Sequence, residues 1–177
     1  MESNKEIVAE EINIGQRMDE IEATLCQSLE LLTLPLVHRF TDGLYIRELA
    51  IPKGTMLTSK THKTQHQFVL LKGVISVWDN DGTETLLSAP YCGVTQPNTR
   101  RIAYAWDDCL WSTCHPNPEN KSLEDLELDL FEDYDNKLFD DESRNKIKEA
   151  HELSNSLSKT INKLITNKNE ELCQQQL

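Results

Sequence analysis

The residues best suited to chemistry lie between Gly54 and Gly73, a stretch that holds two of the five histidines of the chain. These two are His62 and His66, and imidazole is a good nitrogen ligand for Zn, Fe or Ni. A metal site is therefore the first chemistry that this stretch indicates. A nucleophilic pair of a histidine with a cysteine is less favoured, because no cysteine lies in a recognisable catalytic signature. The sequence has no P-loop and no GxSxG or GxGxxG motif.

Composition bounds the class of function. At 177 residues, the chain is long enough for one domain with appendages. Its formal net charge of −12 argues against binding to nucleic acid or anionic lipid, because both depend on clustered Lys and Arg. The five cysteines include no CxxC pair, so we expect reduced thiols in a cytosolic compartment and no structural zinc site. The polar, acidic N-terminus predicts neither a signal peptide nor a transit peptide.

The elements that must position the histidines follow a period of two from Leu36 to Pro116. Turn signals divide this region into about seven short strands, which is typical of an antiparallel sandwich or barrel. The dipeptide Asp81-Gly82 is a strong hairpin signal between two of them. In order, the predicted strands are LYIRELAI, QFVLLKG, VISVW, TETLLSAP, YCGVTQP, RRIAYAW and CLWSTCH.

Helical periodicity flanks the strands. Residues 5–33 and 142–172 both carry a stripe at alternating spacings of four and three, as in a coiled coil. Leu34-Pro35 ends the first helix, because a residue before proline is driven out of the α region. Two interpretations stay open for this helix: it packs on its own domain, or it joins a bundle with another chain. The C-terminal helix has a narrow seam and needs a partner to bury it.

An acidic segment separates the strands from the C-terminal helix. Leu123, Leu126 and Leu130 fall at helical spacing, which predicts a short helix against the β region and then an exposed linker. We interpret its carboxylates as a solvated face, because the pattern of a calcium-binding loop is absent. The predicted organisation is an N-terminal helix (1–35), a β region (36–116), the acidic segment (117–142) and a C-terminal amphipathic helix (143–177).

The order of strands and turns resembles the cupin family. The first cupin motif runs from a glycine through His-x-His and a glutamate to a second glycine, and Gly54 and Gly73 match its two glycines. The second motif, Pro-x-Gly-x-x-His, matches residues 96–101 with substitutions. Asn98 takes its glycine position, because Asn tolerates the left-handed conformation better than most residues. The resemblance implies a mainly β fold, a cupin-like jelly-roll barrel between two helices, and self-association.

A typical cupin binds a divalent metal through three histidines and one glutamate, and the resemblance implies that this chain keeps only part of that set. Lys60 and His62 fall on the first two histidines, His66 on the glutamate and Arg101 on the last histidine. Lys60 and Arg101 cannot ligate while cationic. The metal ligands implied for a divalent transition metal are thus His62 and His66, with His115 as the third candidate. Alternatively, Lys60, His62, His66 and Arg101 bind an anion, or pair with the protein's own carboxylates.

A narrower resemblance is to small cupin-like proteins of tailed bacteriophages, carried by VLLKGVISVW and RRIAYAWDDCLWSTCH. It implies a phage origin and no particular reaction. The leading hypothesis is a non-enzymatic, oligomeric binding or structural protein, with phage structural proteins as partners and a place in the host cytoplasm or the virion. One alternative is a small metal-dependent isomerase or oxygenase. Another is a protein that sequesters a small anionic ligand.

Overall fold

The structure is a computed structural model and describes residues 14–79, 81–133 and 135–174. Within them, helix α1 (Ile14–Ser28) precedes nine strands, and helices α2 (Leu123–Leu130) and α3 (Asp141–Gln174) follow. None of these helices is long and apolar enough to cross a membrane. The strands are β1 (Leu36–Thr41), β2 (Gly43–Ile51), β3 (Met56–Thr58), β4 (His66–Lys72), β5 (Val74–Trp78), β6 (Glu84–Ser88), β7 (Tyr91–Thr95), β8 (Ile102–Ala105) and β9 (Cys109–Asn117).

The strands form two antiparallel sheets. One has the order β1-β2-β9-β4-β7 and the other β3-β8-β5-β6, so that strands distant in sequence lie side by side. This interleaving is that of a jelly roll. The predicted jelly roll between an N-terminal and a C-terminal helix is therefore confirmed. The two sheets do not close into a barrel, because no ladder of hydrogen bonds joins the described strands of one sheet to those of the other.

The chain passes from one sheet to the other through single tight corners. Gly73 is the only residue between β4 and β5, and its φ is +91°. A Cβ there would lie 2.6 Å from both the Asp108 carbonyl oxygen and the Cys109 sulfur, so only glycine fits. Asn98 has a φ of +60°, as expected for a residue at the glycine position of the second motif. These corners explain how two separate sheets face each other without a shared ladder.

Two strands were missed by the sequence-based prediction. One is β3, whose three residues are too short to show an alternation. The other is β1, whose residues are all at least partly exposed, so its pattern has no buried face to detect. The hairpin predicted at Asp81-Gly82 does join β5 and β6, which pair antiparallel.

The apolar core lies between the sheets, towards one end of the jelly roll. It is built by alternate residues that point inward from both sheets, as expected for strands with one buried face. The buried members are Ile51, Phe68, Leu70, Ile75, Val77, Leu87, Ala105 and Cys109. A second cluster, at the other end, joins Tyr45 of β2 to Leu126, Leu130 and Phe131, which come from α2 and the residue after it.

Helix α3 covers the free edge of β1. Polar side chains four residues apart on α3 bond to the backbone of alternate residues along this edge, since four helical residues rise about 6 Å and two strand residues nearly 7 Å. The pairs are Ser154 Oγ with Leu34 O (3.0 Å), Ser158 Oγ with Leu36 N (2.8 Å) and Asn162 Oδ1 with His38 N (3.0 Å). An uncovered edge strand is a template for unwanted pairing, which α3 prevents here.

Helix α1 packs on its own domain. Arg100 is buried and pairs with Asp19 at 2.6 Å and with Glu22 at 2.5 Å, one turn further along α1. Asn136 also donates to the Asp19 carbonyl oxygen. Of the two interpretations of the N-terminal helix, the described residues therefore support the intramolecular one. The first residues of the predicted helix, 5–13, lie outside the described part of the chain.

Candidate functional site

Three histidines meet inside the jelly roll, at the end opposite the apolar core. His66 begins β4, His115 lies near the end of β9, and His62 lies in the loop before β4. The ring centroid of His66 lies 4.3 Å from that of His62 and 4.5 Å from that of His115. Pairing of β4 with β9, which places Gln67 opposite Cys114, is what brings His66 and His115 together. We call His62, His66 and His115 the histidine cluster.

Burial keeps the histidine cluster neutral. It lowers the pKa of His62 and of His115 to about 3, and the neighbouring imidazoles and Arg47 lower both pKa values further. Burial also lowers the pKa of His66, whose Nδ1 lies 3.3 Å from the Thr64 carbonyl oxygen. The Nδ1 atoms of His62 and His115 are buried without a hydrogen-bond partner, which is unusual for a buried polar atom.

The Nε2 atom of His115 is within hydrogen-bond distance of another side chain of the protein. It lies 3.0 Å from the Thr113 hydroxyl oxygen, in the same strand. Beyond it, Tyr45 stacks on His115 with 5.7 Å between ring centroids, and the Tyr45 hydroxyl shares a 2.8 Å hydrogen bond with His38. Burial raises the pKa of Tyr45 to about 12, so its hydroxyl stays protonated.

As placed, the histidine cluster does not fit a divalent metal. The rings of His62 and His115 are stacked, with 7° between their planes, and the His66 ring is tilted by about 35° to each of them. Ring nitrogens bind metals in the plane of the ring, so stacked rings do not converge on one ion. No group of three His, Cys, Asp or Glu side chains in the described residues is arranged to hold one. The two unpartnered Nδ1 atoms are therefore not explained by a shared metal in this arrangement.

The acidic segment closes this end of the jelly roll. Phe131, just after α2, lies edge-on to His62 with 5.0 Å between ring centroids, and the two residues form a β-bridge. The backbone on either side is also bonded: Lys63 N donates to Leu130 O (2.8 Å) and Glu132 N donates to Thr61 O (3.0 Å). The predicted short helix against the β region is thus present, and it covers the histidine cluster.

The two cations predicted beside the histidines engage other groups. Arg101 Nε donates to Asp79 at 2.5 Å and its NH1 group donates to the Thr95 hydroxyl at 2.8 Å. Lys60 points its Nζ to the ring of Phe131, 5.3 Å from the centroid. The structure therefore brings together His62, His66 and His115 and directs Lys60 and Arg101 to separate partners. The assignment of these residues to a metal or an anion stays a prediction.

Arg47 is the residue of this region that sequence reasoning missed. Its Cζ lies 5.2 Å from the centroid of Phe131, and burial lowers its pKa although Glu127 opposes that effect. No carboxylate of the described residues forms an ion pair with it. A signal did exist: Arg47 alternates with Tyr45 and Leu49 on β2, so the period of two places an arginine on the inward face.

No protein-family model matches the chain. The chain is similar in fold to the cupin domain of Cnp3 from Schizosaccharomyces pombe, at 15% identity, covering 63% of this chain and 77% of that one, with a TM-score of 0.43. An RmlC-like cupin from Shewanella frigidimarina matches at 20% identity, with 51% and 84% covered and a TM-score of 0.41. An RmlC-like cupin family protein from Methanocaldococcus jannaschii matches at 12% identity, with 49% and 84% covered and a TM-score of 0.41. All three TM-scores lie below 0.5, so no statement about the family or function of this chain rests on these similarities.

Proposed function

We propose that this chain is a non-enzymatic binding or structural protein that works as an oligomer. The partners we infer are further copies of the chain and phage structural proteins, in the host cytoplasm or the virion, as the sequence resemblance implies. The observation that carries the proposal is the closed end of the jelly roll. On this side, a substrate would reach the histidine cluster by displacing Phe131 and the two backbone hydrogen bonds beside it.

A surface for self-association is available on α3. Leu153, Leu157 and Leu164 are 52%, 39% and 63% exposed, and their spacing of four and seven residues places them on one face of the helix. That face is distinct from the polar one that bonds to β1. Exposed leucines in a stripe are the typical seam of a helix that packs on another helix, so we infer that α3 meets its counterpart in a second copy.

The test replaces the three leucines of α3 by glutamine together. If the stripe is the interface, the wild-type chain sediments as an oligomer and the triple variant as a monomer in analytical ultracentrifugation. Leu128→Gln on α2 is the matched control, because Leu128 is 73% exposed and outside the stripe. A wild-type chain that is monomeric, or a triple variant that sediments like it, would contradict the proposal. Deleting α3 is a poorer test, because it also uncovers β1.

A metal-dependent isomerase or oxygenase remains the alternative to be tested. It requires the histidine rings to turn until their nitrogens converge, and the Nδ1 atoms of His62 and His115 are the ones without a partner. In that case, purified protein carries about one equivalent of a transition metal, since three-ligand catalytic sites hold one ion. The double variant His62→Ala, His66→Ala would then lose it. Metal-free native protein, with a melting temperature unchanged by a chelator, would dismiss this alternative.

A further inference from the structure

A cavity of about 860 Å³ lies between the jelly roll and the helices, outside the histidine cluster. Its walls come from the inner side of β2, from β3, from the segment before β1, and from α3 with the linker that precedes it. The size is within the range of pockets that hold small organic ligands. None of the contacts described above for the histidine cluster fills this space.

Four cationic or protonatable side chains line the cavity without an ion-pair partner among the described residues: Arg47, Lys60, Lys148 and His151. This is unexpected in a chain with 30 acidic and 18 basic residues, in which the arginines of the same wall, Arg100 and Arg144, are paired. Three of the four, Arg47, Lys60 and His151, form the candidate site. Arg47 and Lys60 lie over the same ring, that of Phe131, at 5.2 and 5.3 Å from its centroid. A π face compensates a cation only in part.

His151 brings a third donor from α3 to this place. Its pKa is lowered by burial and then by Lys60, and Arg47 acts in the same direction, so all three groups lie within electrostatic reach of one another. Such a convergence of donors is what binds carboxylate or phosphate groups in proteins. Carboxylates are present on the wall as well, at Glu132, Asp133 and Glu152, yet none forms an ion pair with these three residues.

The rest of the wall combines apolar side chains with charged ones, such as the paired Arg100 and Arg144. Leucines from the segment before β1 and from β1, β2 and β3 line it: Leu31, Leu32, Leu34, Leu36, Leu49 and Leu57. From α3 and its linker, Ile147 and Phe139 face the same space. The charged head of a ligand would meet the donors of Arg47, Lys60 and His151, and an apolar remainder would gain from burial against these side chains.

We propose that this cavity binds an amphipathic organic anion, with its carboxylate or phosphate head between Arg47, Lys60 and His151 and its apolar body against the leucines. The proposal does not depend on the oligomeric role of the chain, because the leucines of the α3 stripe do not line the cavity. It also differs from the anion site expected from the sequence, since of that set only Lys60 lies here.

The test is isothermal titration calorimetry of the full chain with octanoate, octyl phosphate and neutral octanol. We expect one of the two anions to bind with a Kd below about 1 mM, and octanol to bind at least about tenfold more weakly, since one charge-assisted contact is worth about that factor. Octanoate and octyl phosphate distinguish the two head groups, and tighter binding of either supports the proposal. No binding of either anion, or equal binding of octanol, would overturn it.

Variants locate the site. Lys60→Met and His151→Gln change exposed side chains and should each weaken anion binding about three- to tenfold, whereas Lys60→Arg should keep it. The matched control is Lys159→Met, because Lys159 is exposed on α3 but does not line the cavity. Unaltered affinity in both Lys60→Met and His151→Gln would place the anion elsewhere and so contradict the assignment. Arg47 is not replaced in this test, because its side chain packs on the ring of Phe131 and its loss would also change the structure there.

Discussion

The interior of the jelly roll differs sharply between its two ends, although the same strands build both. At one end, β2, β4 and β9 contribute Ile51, Leu70 and Cys109 to the apolar core. At the other end, the inward positions of the same strands carry Tyr45, His66 and His115. Burial of apolar surface stabilises the first end. The second end buries the Nδ1 atoms of His62 and His115 without hydrogen-bond partners, which lowers the stability of the folded chain. A contribution to stability therefore does not explain why histidines occupy these positions.

The apolar end should respond most strongly to mutation. Leu70 has none of its surface exposed, so Leu70→Ala leaves a cavity and should lower the free energy of unfolding by about 2–5 kcal/mol. Urea denaturation monitored by circular dichroism measures this change. Leu71→Ala is the matched control: Leu71 is 49% exposed on the outer face of the same strand, and its replacement should cost less than about 0.5 kcal/mol. Equal losses in the two variants would show that this end is not the centre of stability.

The histidine end should make stability depend on pH. The pKa of His62 and His115 is about 3 in the folded chain, below the ordinary value of 6.5, so the unfolded chain binds more protons as the pH falls. Their contribution is fully present above pH 6.5 and is lost on acidification towards pH 3. Between pH 7 and pH 5, each of the two rings should lower the free energy of unfolding by at most about 2 kcal/mol.

Urea denaturation at pH 7 and at pH 5 checks this second prediction. The interval lies above the ordinary pKa values of Asp and Glu, so carboxylates add little. The pKa of His66 is also lowered in the folded chain, so its protonation adds to the loss of stability at pH 5. In the variant His115→Leu, one titrating ring is absent and the difference between the two pH values should shrink. A wild-type free energy of unfolding that is the same at both pH values would show that the cluster is not held neutral by burial.

The same contrast explains how much could be predicted from the sequence. Local patterns suffice for an element such as β5, predicted as VISVW and found at Val74–Trp78. The alternation along β2 also contains the signal that places Arg47 inward, which the sequence analysis missed. Local patterns could not show which strands lie side by side, because that depends on long-range pairing, such as β4 with β9. Grouping His66 with His115 therefore needed the structure, and only the family resemblance had suggested it.

Side-chain partners were the least predictable feature. Arg100 and Arg101 are adjacent, yet Arg100 pairs with Asp19 and Glu22 on α1, and Arg101 with Asp79 after β5. Successive residues in an extended segment point to opposite sides, so the two arginines meet different parts of the molecule. The distances in sequence are large, and no local pattern in this chain relates either arginine to its carboxylates. The role of Phe131 in closing the histidine end was hidden for the same reason.

The smallest effect should come from loosening the cover of the histidine end. Ser122 is the N-cap of α2: its Oγ accepts a hydrogen bond from Asp125 N at 3.3 Å, and Ser122→Ala should destabilise the helix by about 1 kcal/mol. Because α2 is short, we expect local opening rather than global unfolding. Hydrogen exchange should then quicken at the amides of Lys63 and Glu132, which bond across this end, and stay unchanged at Leu70.

Ser88→Ala, on the exposed side of β6, is the control for this last prediction and should leave all these rates as they are. If Ser122→Ala instead quickens exchange at Leu70 as much as at Lys63, the two ends unfold as one unit and α2 is not a separate cover. If only Lys63 and Glu132 respond, the cover opens on its own, at a free energy well below that of unfolding. The histidine end would then be closed by a short helix whose stability can be changed independently of the apolar core.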